Sequence, residues 1–232
     1  MTRTRPPRSE AAPAPPAPAR GRFIVVEGPD GGGKSTLVQA LRERMQACGQ
    51  TPVVVREPGG TPIAEALRAA LLDPDRMFPP LMELLYYTAA RADLVSQVIG
   101  PALEQGRTVL SDRYDLSTEA YQGAGRGIPP EQVALFNRAA TSGLRPDLTL
   151  VVDVPGRTGP ARRHASGKSA DRLEREDDGF QARVVQHYLA ASGPAVRHLD
   201  GTRPPDQVAE AAWREIAGTW PAVFGTGDRA GV

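Results

Sequence analysis

Gly28-Pro29-Asp30-Gly31-Gly32-Gly33-Lys34-Ser35 carries a glycine, four free positions, then glycine, lysine and serine. That spacing is the signature of a backbone loop that cradles phosphates. Its glycines let the chain curl with N–H groups pointing inward, where side chains would block an anion. Phe23-Ile24-Val25-Val26-Glu27 just before it is a short apolar run, read as a buried strand. After it, Leu37, Ala40, Leu41 and Met45 recur at helical spacing. A glycine-rich turn alone would bind nothing, but strand, loop and helix in this order make the motif specific. The helix N-terminus adds partial positive charge. In such a loop Lys34 reaches the β- and γ-phosphates of a nucleotide and the Ser35 hydroxyl ligates Mg²⁺.

Outward from the loop, strands and helices alternate. Thr51 to Arg56 reads as a second strand, and residues 61–72 as a helix capped by Thr61 with Pro62 at its first position. Residues 80–99 predict a longer apolar-periodic helix. Arg107 to Ser111 is a third strand ending on Asp112, with helices near 115–121 and over 130–142. Leu148 to Val154 is a continuous apolar run, hence a buried parallel strand. Residues 174–191 predict a long helix, Ala195 to Leu199 a fifth strand, and 205–217 a closing helix. Repeated β-then-α units define a three-layer α/β fold, a five-stranded parallel sheet with helices on both faces. Such sheets bind ligands at the carboxyl ends of their strands.

The 232 residues suit one such domain. A net charge of +1 supplies no basic field for nucleic acid, and no apolar run approaches the roughly 18 residues of a membrane span. Cys48 is the single cysteine, which excludes an intramolecular disulfide and suits a reducing cytoplasm. Residues 1–22 are dominated by Pro, Ala and Arg and read as a disordered tail; 222–232 read as a second, short flexible one. The ordered domain is therefore expected over 23–221.

Candidate functional residues fall at the strand ends. Arg56-Glu57-Pro58-Gly59-Gly60-Thr61 follows the second strand and places an arginine where it can face an anion, or simply decorate a turn. Asp112 ends the third strand beside the phosphate loop, a position for a second Mg²⁺ ligand. Arg113 follows and can bridge phosphate groups, although an Asp–Arg pair at a helix start would look the same. Tyr114, Ser117 and Tyr121 share a helix face, as do Tyr87 and Arg91. An aromatic with a cation one turn away can stack a planar base and hydrogen-bond its edge; a core tyrosine with a rim arginine has the same spacing. Arg162, Arg163, His164, Lys168 and Arg172 form a basic, glycine-interleaved segment suited to a lid over a transferring phosphoryl group, or to a solvated loop.

REPGGT at 56–61, YTAAR at 87–91, DRY and AYQG between 112 and 123, RPDLTLVVDV at 145–154 and DRLE at 171–174 resemble the bacterial thymidylate kinase family in order and content. The resemblance runs from about Phe23 to Trp220. It implies a P-loop NTPase fold with a short lid over about 156–172, and transfer of phosphate from ATP to dTMP with Mg²⁺. ATP would lie on Gly28 to Thr36 (Gly28, Pro29, Asp30, Gly31, Gly32, Gly33, Lys34, Ser35 and Thr36), with the metal at Ser35 and Asp112. By the same resemblance Arg56 and Arg113 hold the dTMP phosphate and Asp30 approaches the acceptor sugar. Tyr87 stacks on thymine and Arg91 hydrogen-bonds the base. Ser117 and Gln122 surround the base, and Tyr121 packs under the deoxyribose. The phosphate loop has glycines where some relatives carry a catalytic arginine, so Arg162 in the lid joins Lys34, Arg113 and Asp30 as a catalytic candidate. His164 and Ser166 stand where later lid arginines are usual. A homodimer is implied as well. A related kinase acting on dUMP, or a nucleotide-binding regulatory protein with an inactive lid, are the alternatives.

Overall fold

All five residues of Phe23–Glu27 (β1) are fully buried, which only a central strand covered on both faces allows. In the computed structural model, in which residues 19–154 and 171–225 are described, β1 pairs in parallel with Val109–Asp112 (β3) on one side and Leu148–Asp153 (β4) on the other. Val53–Arg56 (β2) and Val196–Asp200 (β5) form the edges, giving the order β2-β3-β1-β4-β5. Successive side chains of β1 alternate between two cores. Ile24 and Val26 pack with Leu37, Leu41 and Met45 of α1 (Lys34–Ala47) and with Ala212, Trp213 and Ile216 of Pro205–Thr219. Phe23 and Val25 pack on the opposite face with Leu94, Val95, Ile99 and Leu103. Each such large apolar side chain contributes roughly 1.5–3 kcal/mol on burial.

The expected helix at 61–72 is α2, Pro62–Leu72, with Thr61 Oγ1 accepting from Ala64 N–H at 3.1 Å. The run expected over 80–99 is regular only to Leu94 (α3, Pro80–Leu94). Val95–Ile99 is a wide π turn that feeds a short α4, Gly100–Glu104. A second π turn, Glu119–Gly125, follows α5 (Asp115–Thr118), and Arg126 N–H reaches the Tyr121 carbonyl at 2.9 Å. Such turns insert one residue into the helical ladder and re-aim the side chains that follow, here Tyr121 and Gln122. The helix α6 is Pro130–Thr141.

The helix expected over 174–191 begins later. A single 3₁₀ turn, Leu173–Arg175, precedes α7 (Asp178–Ala190), because Asp177 caps α7 by accepting from Phe180 N–H at 2.7 Å. After α8 (Pro205–Thr219), Pro221–Phe224 forms a last turn, α9.

Both expected domain edges shift outward. Arg20 pairs with Asp147 at 2.8 Å, and Arg22 lies over the rings of Trp220 and Phe224 at 6.0 and 5.9 Å. Phe224, expected in the C-terminal tail, is fully buried against Trp213. Most of the expected lid, 156–170, lies outside the described residues, and so does Arg162 with Arg163, His164 and Lys168.

Candidate active site

β1 delivers its glycines at a point where nothing larger fits. A Cβ on Gly28, at φ 140°, would sit 2.7 Å from the Val152 carbonyl of β4. Gly33, at φ 90°, turns the chain into α1 in the left-handed region that glycine tolerates. Lys34 is buried at the start of α1 and donates from Nζ to the Pro29 carbonyl at 2.8 Å, so its charge is folded back over its own loop. Burial, reinforced by the nearby Arg113 charge, lowers its pKa from the usual lysine value to about 8.

The register of the sheet sets Asp112 beside β1, opposite Val26. There Ser35 Oγ donates to Asp112 Oδ2 at 2.7 Å. A hydroxyl and a carboxylate in contact are hard oxygen donors of the kind Mg²⁺ takes. No group of three or more His, Cys, Asp or Glu residues among the described residues could hold a metal alone. Nucleotide phosphate and water would have to complete the shell, as is usual for Mg²⁺.

Arg113, one residue on, has φ 76°, a conformation disfavoured for a side chain of this size. Its backbone N–H is tied to the Val26 carbonyl at 2.9 Å. Its guanidinium donates to Gly28 O (3.2 Å), Ser117 Oγ (3.0 Å), Tyr188 Oη (3.1 Å) and Tyr121 Oη (3.2 Å), pairs with Asp30, and lies 5.1 Å over the Tyr121 ring. Tyr121 Oη in turn donates to Asp30 Oδ2 at 2.7 Å. The loop carboxylate, the arginine and the tyrosine thus each contact the other two. Behind them stands Glu27, fully buried and accepting from Tyr114 N–H (2.7 Å), Ser117 Oγ (2.6 Å) and Tyr188 Oη (3.2 Å). Burial raises the Glu27 carboxyl above the usual range, against the pull of Arg113.

In front of Glu27, the loop, the Ser35–Asp112 pair and the Arg113–Asp30–Tyr121 set open onto a cleft of about 540 Å³. Its walls include Asp30, Lys34, Ser35, Thr36, Arg56, Asp112, Arg113, Ser117, Tyr121, Gln122 and Tyr87, so most of the sequence candidates converge there. Arg56 is half exposed and 3.3 Å from Glu65. Arg68 also lines the cleft, anchored to the Pro58 carbonyl at 2.8 Å.

Two candidate arginines among the described residues lie elsewhere. Arg91 is 2 % exposed and is not a wall residue. It donates to Glu57 Oε2 (2.7 Å), Thr118 Oγ1 (2.9 Å), Asn137 Oδ1 (2.7 Å) and the Tyr114 carbonyl (2.8 Å). A guanidinium so engaged ties together Glu57 and Thr118, which do line the cleft. Arg172, grouped with the lid cations, is buried too; it donates to the Leu71 carbonyl (3.0 Å) and to Glu83 (2.6 Å). It is a structural anchor and not a mobile cation.

Glu27, Glu57, Glu83, Arg68 and Tyr188 were not singled out from the sequence. Glu27 had a signal, a lone acid in an otherwise apolar strand directly before the glycine loop. Tyr188 had none, since it reaches the site from 161 positions beyond Glu27.

A phosphate loop on the central strand, a hydroxyl–carboxylate pair beside it and an arginine-lined cleft define a P-loop phosphotransferase of the α/β class. The sequence profile of the family described as thymidylate kinase matches residues 26–212. The chain is 45 % identical over 197 residues to a thymidylate kinase of Thermomicrobium roseum, covering 84 % of this chain and 93 % of that one. It is 42 % identical over 202 residues to one of Deinococcus radiodurans, covering 86 % and 98 %. With one of Ectopseudomonas mendocina it shares 48 % over 179 residues, covering 77 % and 85 %. The chain belongs to the thymidylate kinase family.

Proposed function

We propose that this chain transfers the γ-phosphoryl group of ATP to dTMP, yielding ADP and dTDP. The observation that carries this reading is the shared cleft: the phosphate loop and the Arg113–Asp30–Tyr121 set face the same space. The γ-phosphorus gains a bond to a phosphate oxygen of dTMP and loses its bond to the oxygen that leaves with ADP. No strong base is needed, because the attacking oxygen is already anionic, and catalysis is mostly positioning and charge neutralisation.

Lys34 leaves the Pro29 carbonyl for the β- and γ-phosphates. Arg113, aided by Arg56, holds the dTMP phosphate. Tyr87 stacks on thymine, Ser117 and Gln122 border the base, and Tyr121 fills the space under the sugar, with Asp30 beside it. Ser35 and Asp112 would hold Mg²⁺, which neutralises charge developing between the β- and γ-phosphates when bound. Arg162 supplies the transition-state cation that the glycines at 31–33 lack. The enzyme acts in the cytoplasm without nucleic acid, as a homodimer; exposed Leu81, Leu85 and Leu135 on the neighbouring helices α3 and α6 support an apolar contact between copies. No helix among the described residues is long and apolar enough to cross a membrane.

An assay of ADP release across dTMP, dUMP, dCMP, dAMP and dGMP tests the acceptor. The expected result is a clear preference for dTMP. Equal turnover of a purine monophosphate would overturn the assignment of the cleft.

A further inference from the structure

Glu83 stands in the first turn of α3 and is completely buried, yet it contacts no phosphate-loop residue and does not line the cleft. Four donors converge on it. Arg172 Nη1 lies 2.6 Å and Arg126 Nη2 3.0 Å from Oε2, and Arg126 Nε is 3.2 Å from Oε1. The fourth is the side-chain amide of Gln122, whose Nε2 donates to Oε1 at 2.8 Å. Two guanidiniums already neutralise the carboxylate, so Gln122 adds nothing that charge pairing requires.

The consequence lies at the other end of that amide. A carboxylate offers only acceptor oxygens, so the group of Gln122 facing Glu83 must be the NH₂. The two ends of a planar amide point apart, and the Gln122 oxygen makes no hydrogen bond among the described residues while the residue itself lines the cleft. The cleft is therefore offered the acceptor end of the amide, while the NH₂ is anchored on Glu83. Rotating the amide would set its oxygen against a buried carboxylate, which costs the full penalty of an unsatisfied buried group plus repulsion.

We propose that Glu83 is a positioning residue for acceptor choice: by pinning the Gln122 amide it presents a carbonyl oxygen that accepts from the ring N–H of a thymine- or uracil-type base and rejects a cytosine-type base, whose ring nitrogen at that edge is itself an acceptor. The inference rests on the reading of the cleft as a pyrimidine monophosphate site. A site built to accept a hydrogen bond discriminates strongly against a partner that cannot donate it, because both acceptors are then left unpaired.

The test uses the full chain and two acceptors that share the 5-methyl group and differ at the base edge: dTMP, followed by turnover, and 5-methyl-dCMP, followed as a competitor of dTMP. Glu83→Gln keeps the shape but can donate from its own NH₂ to the Gln122 oxygen, freeing that amide to turn. The preference for dTMP should narrow by about tenfold or more, with the KM for dTMP rising more than kcat falls. In a Gln122→Leu background, Glu83→Gln should leave the preference unmoved. A purely structural Glu83 would weaken both ligands in proportion and leave the ratio intact, and that result would overturn the proposal.

Should Glu83→Gln fail to fold, the wild-type protein still decides it. The Gln122 side-chain amide protons, assigned by their loss in Gln122→Leu, should be protected from exchange and keep their NMR shifts when dTMP binds. Rapidly exchanging protons would refute the pinning. Absence of wild-type activity on any pyrimidine monophosphate would overturn the functional reading and, with it, the proposal; an active wild type with an unmoved ratio overturns the proposal alone.

Discussion

Lys34 sits where its own charge is hardest to keep. Burial and the neighbouring Arg113 bring its pKa to about 8, and the Pro29 carbonyl takes its proton donor at 2.8 Å. The cationic form dominates below that value and is lost above it, and in the proposed reaction it is the form that neutralises phosphate. The ATP-dependent kcat/KM should therefore fall as pH rises through about 8, while an Arg113-dependent acceptor contact should not follow that profile. Lys34→Ala should lower turnover by at least about a hundredfold without unfolding the protein. A folded variant with near-normal rates would remove residues 28–35 from the reaction. At this scale the sequence picked out the glycine loop, Ser35, Asp112 and Arg113, which the fold gathers around one cleft, because motif and strand end fix where they stand. It could not reveal that Arg91 turns inward, since the acceptors that hold it, Glu57, Tyr114, Thr118 and Asn137, come from three separate stretches of chain.

Elements were legible where the hydrophobic pattern was strong. The strands were found within two residues, because continuous apolar runs flanked by turn residues leave little choice. The π turns at 95–99 and 119–125 were invisible, as each keeps apolar residues at near-helical spacing while changing the backbone ladder. The edge strand β5 depends on a contact that the pattern also hides. His198 holds Asp153 of β4 through Nδ1 at 2.9 Å and meets the Ala191 carbonyl through Nε2 at 2.7 Å. Two acceptors around one imidazole require both ring nitrogens to carry protons. Partial burial pulls its pKa down, but the hydrogen bonds to Asp153 and Ala191 outweigh that and raise it. A raised pKa in the folded state stabilises fully below the unfolded value of about 6.5 and is lost as pH rises through the folded value. The melting-temperature gap between wild type and His198→Gln should thus be widest near about pH 5.5 and shrink by about pH 9. A gap that grows with pH would contradict the assignment.

At the scale of the whole molecule, the outermost described segments meet. Arg22, Trp220 and Phe224 bring the first and last described segments together, although the flanking composition suggested tails over 1–22 and 222–232. The short Trp220–Phe224 stretch carries no periodicity, so the burial of Phe224 is explained by its folded partners, Trp213, Trp220 and Arg22. Phe224→Ala should cost about 3 kcal/mol or more, the usual penalty for emptying a buried aromatic site. For a domain of this size that is at least about 6 °C in Tm. Deleting residues 1–18, which contain no large apolar side chain beyond Met1, should move Tm by less than about 2 °C, whereas deletion through Arg22 should cost several degrees more. Equal effects of the two deletions would show that the Arg20 and Arg22 contacts are idle.

The proposed reaction makes one demand of this architecture: the phosphate loop that follows β1 and Arg113, which follows β3, serve two different nucleotides in one event. Following the label from γ-³²P-ATP with dTMP as the sole acceptor measures this directly. The account predicts that labelled dTDP accumulates in step with ADP, and that Lys34→Ala abolishes both. Label released as inorganic phosphate without dTDP, or no release at all from the folded wild-type protein, would contradict it.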